Sequence, residues 1–272
     1  MSKVTLTLRE VPSQRLDVST LRLPDLATLD ADRIAALPLR LGNASVSTGD
    51  LFQVAVSSDS EEDALVVRDS CNRLDGLGAA TAGGRVEIFG DAGAFLAQGM
   101  SGGQVEVHGN CGAYAGTEMA AGRLHVHGSA GDFAGAAMPG QGKGLQGGVI
   151  VIDGDAGARA ADRMRRGLLL IAGDTGPYCG SRMIAGTVSV LGTAGKDMGL
   201  GMRRGTLLLS QRPDALPATF NRTGTHNLNF LNLFRENLSQ AEYAAHARTG
   251  RRVQRWVGDR AVGGLGELLL WD

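Results

Sequence analysis

Several common features are scarce in this sequence of 272 residues, and each scarcity argues against a class of protein. Aromatic residues make up only 4% of the chain, which fits a thin, repetitive core rather than a bulky one. The three cysteines, at positions 71, 111 and 179, form no Cys-x-x-Cys motif, so neither a disulfide framework nor a cysteine zinc site is indicated. A formal net charge of -1 argues against a partner that is nucleic acid or an anionic membrane.

Targeting and membrane-spanning segments are also missing. The sequence shows no signal peptide and no apolar run of about 18 residues. We therefore expect a cytoplasmic protein without a membrane partner.

Glycine, in contrast, is abundant, with 41 residues, and many of them recur in register. Within each glycine column the spacing is 19 residues except at one step, such as that between Gly128 and Gly154, where it is 26. We place the seven additional residues within 139–147. A strict period of this length predicts stacked, equivalent coils. The three columns are Gly90, Gly109, Gly128, Gly154, Gly173 and Gly192; Gly93, Gly112, Gly131, Gly157, Gly176 and Gly195; and Gly84, Gly103, Gly122, Gly148, Gly167, Gly186 and Gly205.

Each coil contains a short segment in which apolar residues alternate, such as Val86 and Ile88 or Val188 and Val190. This period of two predicts a β-strand with one buried face. The two glycines that follow, three residues apart, are expected to let the backbone turn through conformations closed to other residues. One methionine per coil is expected to fill the core: Met100, Met119, Met138, Met164, Met183 and Met202.

These patterns predict a mainly β protein built on a right-handed parallel β-helix of about seven 19-residue coils. The right hand follows from the general preference of crossover connections. The chain is expected to divide into a small β-rich N-terminal region at 1–64, the β-helix repeats at 65–210 and a C-terminal α+β extension at 211–272. Within the first part, strands are predicted at 3–9, 39–46 and 51–56, and a short helix at 30–37 with Asp30 or Asp32 near its cap.

In the C-terminal extension, the segment 211–225 is predicted to be a linker or wrapping loop. Apolar residues at helical spacing predict a helix over 227–238. Ser239 and Glu242 have the spacing of a capping box, which predicts a second short helix that ends near Gly250. Two strands are predicted after it, at 253–257 and 267–271.

Three histidines are the first candidates for chemistry. His108 and His127 occupy equivalent positions one coil apart, so their rings should stack about 5 Å apart on the outer face. His125 lies two residues before His127 and shares that face. Three imidazoles together can bind a metal, but no carboxylate is obviously fixed beside them. We therefore favour a surface ladder and predict no metal site. Likewise, no local motif predicts a catalytic residue, and the loop at 139–145 lacks the spacing of a phosphate-binding loop.

The outward-facing columns change character along the repeat. Their first coils are polar and their later coils apolar, so the apolar part must be covered by the C-terminal segment or by another chain. One column reads Glu87, Glu106, His125, Val151, Leu170, Ser189 and Leu208; its neighbour reads Phe89, His108, His127, Asp153, Ala172 and Leu191.

Arginines gather along the coil corner that carries the methionines, at positions 159, 163, 165, 166, 182, 203 and 204. A solvated coil edge explains such a file, and a contact surface for an acidic partner is the alternative. The resulting candidate partner interface comprises Val151, Leu170, Leu191, Leu208, Arg163, Arg182 and Arg203.

Three features together resemble a known family: the repeat Gly-x-x-Gly…Gly-Met-x-x-Gly, the Met-Pro-Gly insertion at 138–140, and the ending Gly258-Asp259…Gly-Gly-x-Gly-Glu at 263–267. They are similar to the C-type subunit of formylmethanofuran dehydrogenase and of its bacterial counterpart, the formyltransferase/hydrolase complex. The resemblance extends over essentially the whole chain. The same repeat also marks the C-terminal domain of the large glutamate synthase chain.

The resemblance implies a non-catalytic scaffold subunit in one-carbon metabolism. Its implied partners are amidohydrolase-like, formyltransferase-like and formate-dehydrogenase-like chains, and these carry the metal and the methanofuran-type carrier, with no cofactor on this subunit. In the bacterial form, the complex moves a formyl group from tetrahydromethanopterin to that carrier and releases formate. The alternatives are a subunit of a tungsten or molybdenum formylmethanofuran dehydrogenase, and a spacer of the glutamate synthase type. A stand-alone enzyme or carbohydrate-binding β-helix would need exposed aromatics or clustered carboxylates on one face.

Overall fold

The computed structural model describes residues 1–58, 60–239 and 252–271, which form a mainly β protein with few helices. None of the described helices is long and apolar enough to cross a membrane. The helices are α1 (Leu23–Leu26), α2 (Ala31–Ala35), α3 (Thr48–Leu51) and α4 (Asn229–Ser239). The strands are β1 (Lys3–Leu8), β2 (Leu16–Asp17), β3 (Pro38–Leu41), β4 (Ala44–Ser47), β5 (Phe52–Ser57), β6 (Ala64–Ser70), β7 (Leu74–Asp75), β8 (Arg85–Gly90), β9 (Ser101–Val107), β10 (Ala121–Val126), β11 (Val149–Ile152), β12 (Leu168–Ile171), β13 (Thr187–Val190), β14 (Thr206–Leu209), β15 (Asn221–Asn227), β16 (Arg252–Gly258) and β17 (Gly266–Trp271).

A 13-stranded sheet dominates the fold, in the order β15-β16-β17-β14-β13-β12-β11-β10-β9-β8-β6-β1-β5. From β1 to β17 all neighbours are parallel, and antiparallel strands close both ends: β5 on β1, and β16 with β15 on β17. Equivalent residues of successive coils pair directly, for example Leu124 with Ile150 and Leu169 with Val188. This register fits the predicted parallel β-helix. Strands from all three predicted parts join the one sheet.

Except at Gly90, where φ is 113°, the glycines that follow each strand are required for a reason other than the one expected. At Gly131 the φ angle is not in the left-handed region, but an added Cβ would lie 2.9 Å from the backbone nitrogen of Ala113 in the preceding coil. Successive coils therefore approach too closely at this column for any side chain. Positive φ occurs instead later in each coil, as at Tyr114 (φ 63°), and at the closing glycines, as at Gly122 (φ 88°). The expected role in a turn was wrong for Gly131.

The prediction that one methionine per coil fills the core is confirmed for five methionines and wrong for the sixth. Met100, Met119, Met164, Met183 and Met202 are all buried in the core. Met138 is only half-buried, and the fully buried Leu145 takes its place in the file. The backbone bonds identify the position: the amide of Gln146 donates to Met119, and the amide of Arg165 donates to Leu145. The seven inserted residues therefore precede the core position instead of following it.

Of the predictions for the N-terminal and C-terminal regions, some are confirmed and others are wrong. The short helix is confirmed as α2, whose N-cap Asp30 accepts from the amide of Arg33 at 2.8 Å. The single strand expected at 39–46 is instead the hairpin β3–β4, in a separate sheet of order β4-β3-β2-β7. The loop expected at 211–225 ends in β15, which pairs with β16. The helix predicted to end near Gly250 lies outside the described residues.

Candidate functional site

The outer face of β8–β10 carries a ladder of stacked rings. Phe89 stacks on His108 with centroids 4.6 Å apart, and His108 stacks on His127 at 5.1 Å with planes 13° apart. The guanidinium of Arg68 lies 5.0 Å from the centroid of Phe89 at the free end of the stack. The predicted His108–His127 ladder is confirmed. It arises because parallel strands in register place equivalent side chains one strand apart on the same face.

Carboxylates contact these rings, contrary to the expectation that none is fixed beside them. His127 lies between two: its Nε2 is 2.9 Å from Oε1 of Glu106 and its Nδ1 is 3.0 Å from Oδ2 of Asp153. The Nε2 of His125 lies 2.9 Å from that same Asp153 oxygen. We name Glu106, His125, His127 and Asp153 the histidine–carboxylate cluster.

The strand register explains why these four side chains meet. His125 pairs with Glu106 on one side and with Val151 on the other, so Asp153, two residues after Val151, lies opposite His127. The order of the outward columns already contained this signal, since Asp153 follows His127 in its column once the insertion is counted. It was missed because Glu106 and Asp153 lie in the coils on either side of His125 and His127, so that only the alignment between coils brings these side chains together.

Burial and neighbouring charges together shift the pKa values of the cluster, lowering those of His125 and Glu106 and raising that of His127. Burial lowers the pKa of His125 despite the attraction of Asp153. Burial would also lower the pKa of His127, but its contacts with Glu106 and Asp153 outweigh it and raise that pKa. Burial would raise the pKa of Glu106, but His127, Arg85 and His108 lower it overall. Arg85 holds Glu106 in place through a 2.7 Å contact.

The apolar part of the candidate partner interface lies inside the chain. Val151 and Leu170 are buried against Leu238 of α4, with Phe234 packed beside them. Of the two coverings that the sequence leaves open, the C-terminal segment is therefore the one observed. These buried side chains cannot contact a partner unless α4 moves away. Leu208 packs in the same way beneath Leu231, while Leu191 is half-buried.

The arginine corner, defined as Arg163, Arg182 and Arg203, is only partly engaged within the chain. Arg182 contacts the buried carboxylate of Asp162 through Nε at 2.9 Å and through a second nitrogen at 2.5 Å. Arg163 donates to the carbonyl of Gln141 in the inserted loop at 3.0 Å, and Arg203 is exposed. The hydrogen bond with Asp162 raises the pKa of Arg182.

Two features surround this corner. One is an open cleft of about 370 Å³ between the insertion and the aromatic residues, lined by Tyr114, Phe133, Met138, Arg159, Arg163 and Arg182 among others. The other is a set of exposed apolar side chains next to the arginines. The amide of Leu265 donates to the carbonyl of Arg203, and Leu265 is 66% exposed. Leu200 and Val262 are also exposed there. A surface that mixes cations and apolar groups is suited to contact a protein.

Two thiols can be set aside as nucleophiles. Burial raises the pKa of Cys111 and of Cys179 to about 12, so both stay protonated near neutral pH. A thiol needs its thiolate form to react, and these two are also inaccessible to solvent.

Comparison with known proteins gives a consistent result. A family model described as the GXGXG motif matches residues 85–233. The X-ray structure of the formyltransferase/hydrolase complex (FhcABCD) from Methylorubrum extorquens, in complex with methylofuran, contains a similar chain. The two chains are 37% identical and superpose with a TM-score of 0.92, over 98% of this chain and 99% of that one. No curated protein matches the sequence significantly.

Proposed function

The chain belongs to the family of the C-type subunits of the formyltransferase/hydrolase complex and formylmethanofuran dehydrogenase, which shares the GXGXG repeat, and we propose that it is the corresponding subunit of such a complex. One observation carries the proposal: 37% identity extends over 98% of one chain and 99% of the other. The chains therefore correspond from end to end and do not merely share the repeat. A glutamate synthase spacer, the alternative raised by the repeat, has no such end-to-end support.

Within that complex the chain acts as a scaffold. We take the parallel stack to be a right-handed β-helix of about seven coils, which gives a rigid rod roughly 35 Å long at about 4.8 Å per coil. The partner chains carry the catalytic metal and the methanofuran-type carrier. Together they move a formyl group from tetrahydromethanopterin to that carrier and release formate. The tungsten or molybdenum dehydrogenase is the second candidate, because the family includes both.

The arginine corner is the surface we assign to partner contact. The buried apolar file cannot serve while α4 covers it, whereas Val262 and Leu265 expose apolar surface directly beside Arg203. Exposed apolar groups flanked by arginine are typical of the centre of protein interfaces. Arg163 and Arg182 extend this surface along the inserted loop.

Coexpression with the partner subunits tests both proposals. We expect the tagged chain to elute with the partners in a fixed ratio and to show no formyl transfer or hydrolysis when purified alone. Formyl turnover by the clean, isolated chain would contradict the scaffold role. Elution without partners would contradict membership of the complex.

A charge at the corner tests the contact surface. Leu265→Glu combined with Val262→Glu should reduce co-elution at least tenfold while leaving the melting temperature of the isolated chain unchanged. Val11→Glu is the matched control, because Val11 is equally exposed but lies near the N-terminus. Equal co-elution of the double variant and the control would show that this corner is not the interface.

A further inference from the structure

Four side chains of the histidine–carboxylate cluster converge in a way that an ordinary surface ladder does not require. Oδ2 of Asp153 lies 2.9 Å from Nε2 of His125 and 3.0 Å from Nδ1 of His127. The three ligand atoms lie within 4.8 Å of one another. We propose that His125, His127 and Asp153 bind one Zn²⁺ ion and that Glu106 orients His127 from behind.

Hydrogen-bond accounting at His127 requires a positive charge between its ring and Asp153. Both its ring nitrogens face carboxylate oxygens, which only accept when they are ionised. A neutral imidazole has one N–H. If Nε2 donates that hydrogen to Glu106, the lone pair of Nδ1 points at Asp153, and the position between the two takes either a second proton or a metal cation. Outer carboxylates commonly fix metal-binding histidines in this way, and Arg85 in turn holds Glu106 at 2.7 Å.

Ligand geometry fits a small divalent ion. Zinc bonds of 2.0–2.2 Å in a tetrahedral arrangement place neighbouring ligand atoms about 3.3 Å apart. The observed contacts of 2.9 and 3.0 Å therefore need to lengthen by only a few tenths of an ångström. Two imidazoles and one carboxylate favour zinc over magnesium or calcium, which prefer oxygen ligands.

Ring orientation excludes the other possible ligand set on this face, which consists of Glu106, His108 and His127. The rings of His108 and His127 are nearly parallel, with planes 13° apart and centroids 5.1 Å apart. The nitrogen lone pairs of parallel rings lie in separate planes and do not converge on one ion. The rings of His125 and His127 are tilted by 44° with centroids 4.1 Å apart, so their lone pairs can converge.

The position of the site suggests its purpose. His125 and His127 belong to β10 and the residue after it, whereas Asp153 directly follows β11. The 26-residue step of the repeat, with its inserted loop, lies between these two strands. The ion joins the two coils at the irregular step of the stack, where three protein ligands leave one position for water.

Zinc titration of the full chain, after chelator treatment and dialysis, tests the proposal. We expect one Zn²⁺ per chain and a higher melting temperature with Zn²⁺ but not with Mg²⁺. His125→Gln and Asp153→Asn should each weaken binding tenfold or more, and Glu106→Gln by about 10–100-fold. His108→Gln is the matched control, because it removes an imidazole from the same ladder outside the site, and it should leave zinc affinity unchanged.

Two further readouts keep the result decisive if a variant folds poorly. The melting temperature of each metal-free variant reports its folding, and Co²⁺ bound to the parent chain should show four-coordinate absorption bands without thiolate charge transfer. Absence of stoichiometric zinc, a thiolate band, or equal affinity in Asp153→Asn would overturn the site. Lost affinity in His108→Gln would overturn the ligand set. These outcomes do not depend on membership of the complex.

Discussion

The two halves of the parallel stack have the same interior and different exteriors. Inward residues of β8–β10 and of β11–β14, such as Val86 and Val188, are equally buried. On the outer face, β8–β10 carry charged and imidazole groups, whereas β11, β12 and β14 carry the aliphatic Val151, Leu170 and Leu208, which α4 covers. The repeat constrains only the side chains that contact neighbouring coils. The outer face is free to diverge, and here it forms a polar cluster in one half and a docking site for the chain's own C-terminal segment in the other.

Exchanging the two kinds of outer residue tests this contrast most strongly. Leu170 and Glu87 occupy the same outward column, Leu170 buried under α4 and Glu87 half-buried. Leu170→Glu should cost at least about 3 kcal/mol in the free energy of unfolding, because it buries a charge without a partner. Glu87→Leu should change the stability by less than about 1 kcal/mol, since it removes only solvent-accessible ion pairs with Arg85 and His108. Denaturant unfolding measures both.

Tryptophan fluorescence shows how the first variant fails. The chain has two tryptophans, Trp256 and Trp271, and both lie in strands of the C-terminal segment. Trp271 packs against the cluster that contains Leu231 of α4. If α4 detaches, the fluorescence of Trp271 should therefore shift to longer wavelength before the circular dichroism of the sheet changes. A stable Leu170→Glu variant with parental emission would mean that α4 does not cover this face.

Core truncation should show that the interiors of the two halves are equivalent. Met119→Ala in the first half and Met183→Ala in the second should each cost about 2–5 kcal/mol, because both side chains are fully buried. Met138→Ala is the control, since this half-buried residue lies outside the core file, and it should cost less than about 1 kcal/mol. A large loss of stability in Met138→Ala would show that Met138 does belong to the core.

The close contact of each glycine with the backbone of the preceding coil should also have the same effect on stability in the two halves. An added Cβ would lie 2.9 Å from backbone at Gly131 and 2.6 Å from backbone at Gly176. Gly131→Ala and Gly176→Ala should therefore each destabilise the protein by about 1–3 kcal/mol, as overpacking does. Gly142→Ala, at an open position in the inserted loop, should be nearly neutral. Thermal unfolding of the three variants makes the comparison, and parental stability of Gly131→Ala would contradict the close approach.

Features that depend on one coil or on the regular 19-residue step could be predicted from the sequence, and features that depend on the irregular 26-residue step or on the backbone geometry could not. The buried strand residues follow from a local period of two, and the His108–His127 stack follows from the 19-residue step. The core position of Leu145 could not be read, because seven extra residues fit equally well before or after Met138. The sequence also does not show whether Gly131 is needed for a positive φ or for a close contact between coils, since both require glycine.

Two further features could not be predicted from the sequence: that α4 covers the outer face of β11, β12 and β14, and that carboxylates contact the histidines. Each joins residues that are distant in the chain, as Leu238 and Val151 are. Amphipathic spacing in 227–238 predicted that a helix exists, but not which face receives it. The two coverings were therefore left open, and only the packing of α4 distinguishes them.

The smallest expected effect concerns the polar anchor of the covering segment, Asp259. Its buried carboxylate accepts from the amide of Gly201, in the turn between β13 and β14, at 3.0 Å and from the amide of Ala261 at 2.8 Å. Burial would raise the pKa of Asp259, but these hydrogen bonds and one with Thr219 lower it overall. A pKa lower in the folded than in the unfolded state, where it is about 3.9, stabilises the protein fully above that pH. This contribution is lost as the pH falls through the folded value.

Asp259→Asn should therefore cost about 1–2 kcal/mol at neutral pH, because it replaces charged by neutral acceptors. The difference from the parent should shrink as the pH falls from about 4 through the folded pKa, since the parent carboxyl becomes protonated over this range. Asp214→Asn, an exposed position in the same segment, controls for the loss of one negative charge. Denaturant unfolding followed by tryptophan fluorescence across this pH range measures the covering segment directly. A difference between parent and variant that stays constant with pH would show that the Asp259 carboxylate does not anchor that segment through its charge.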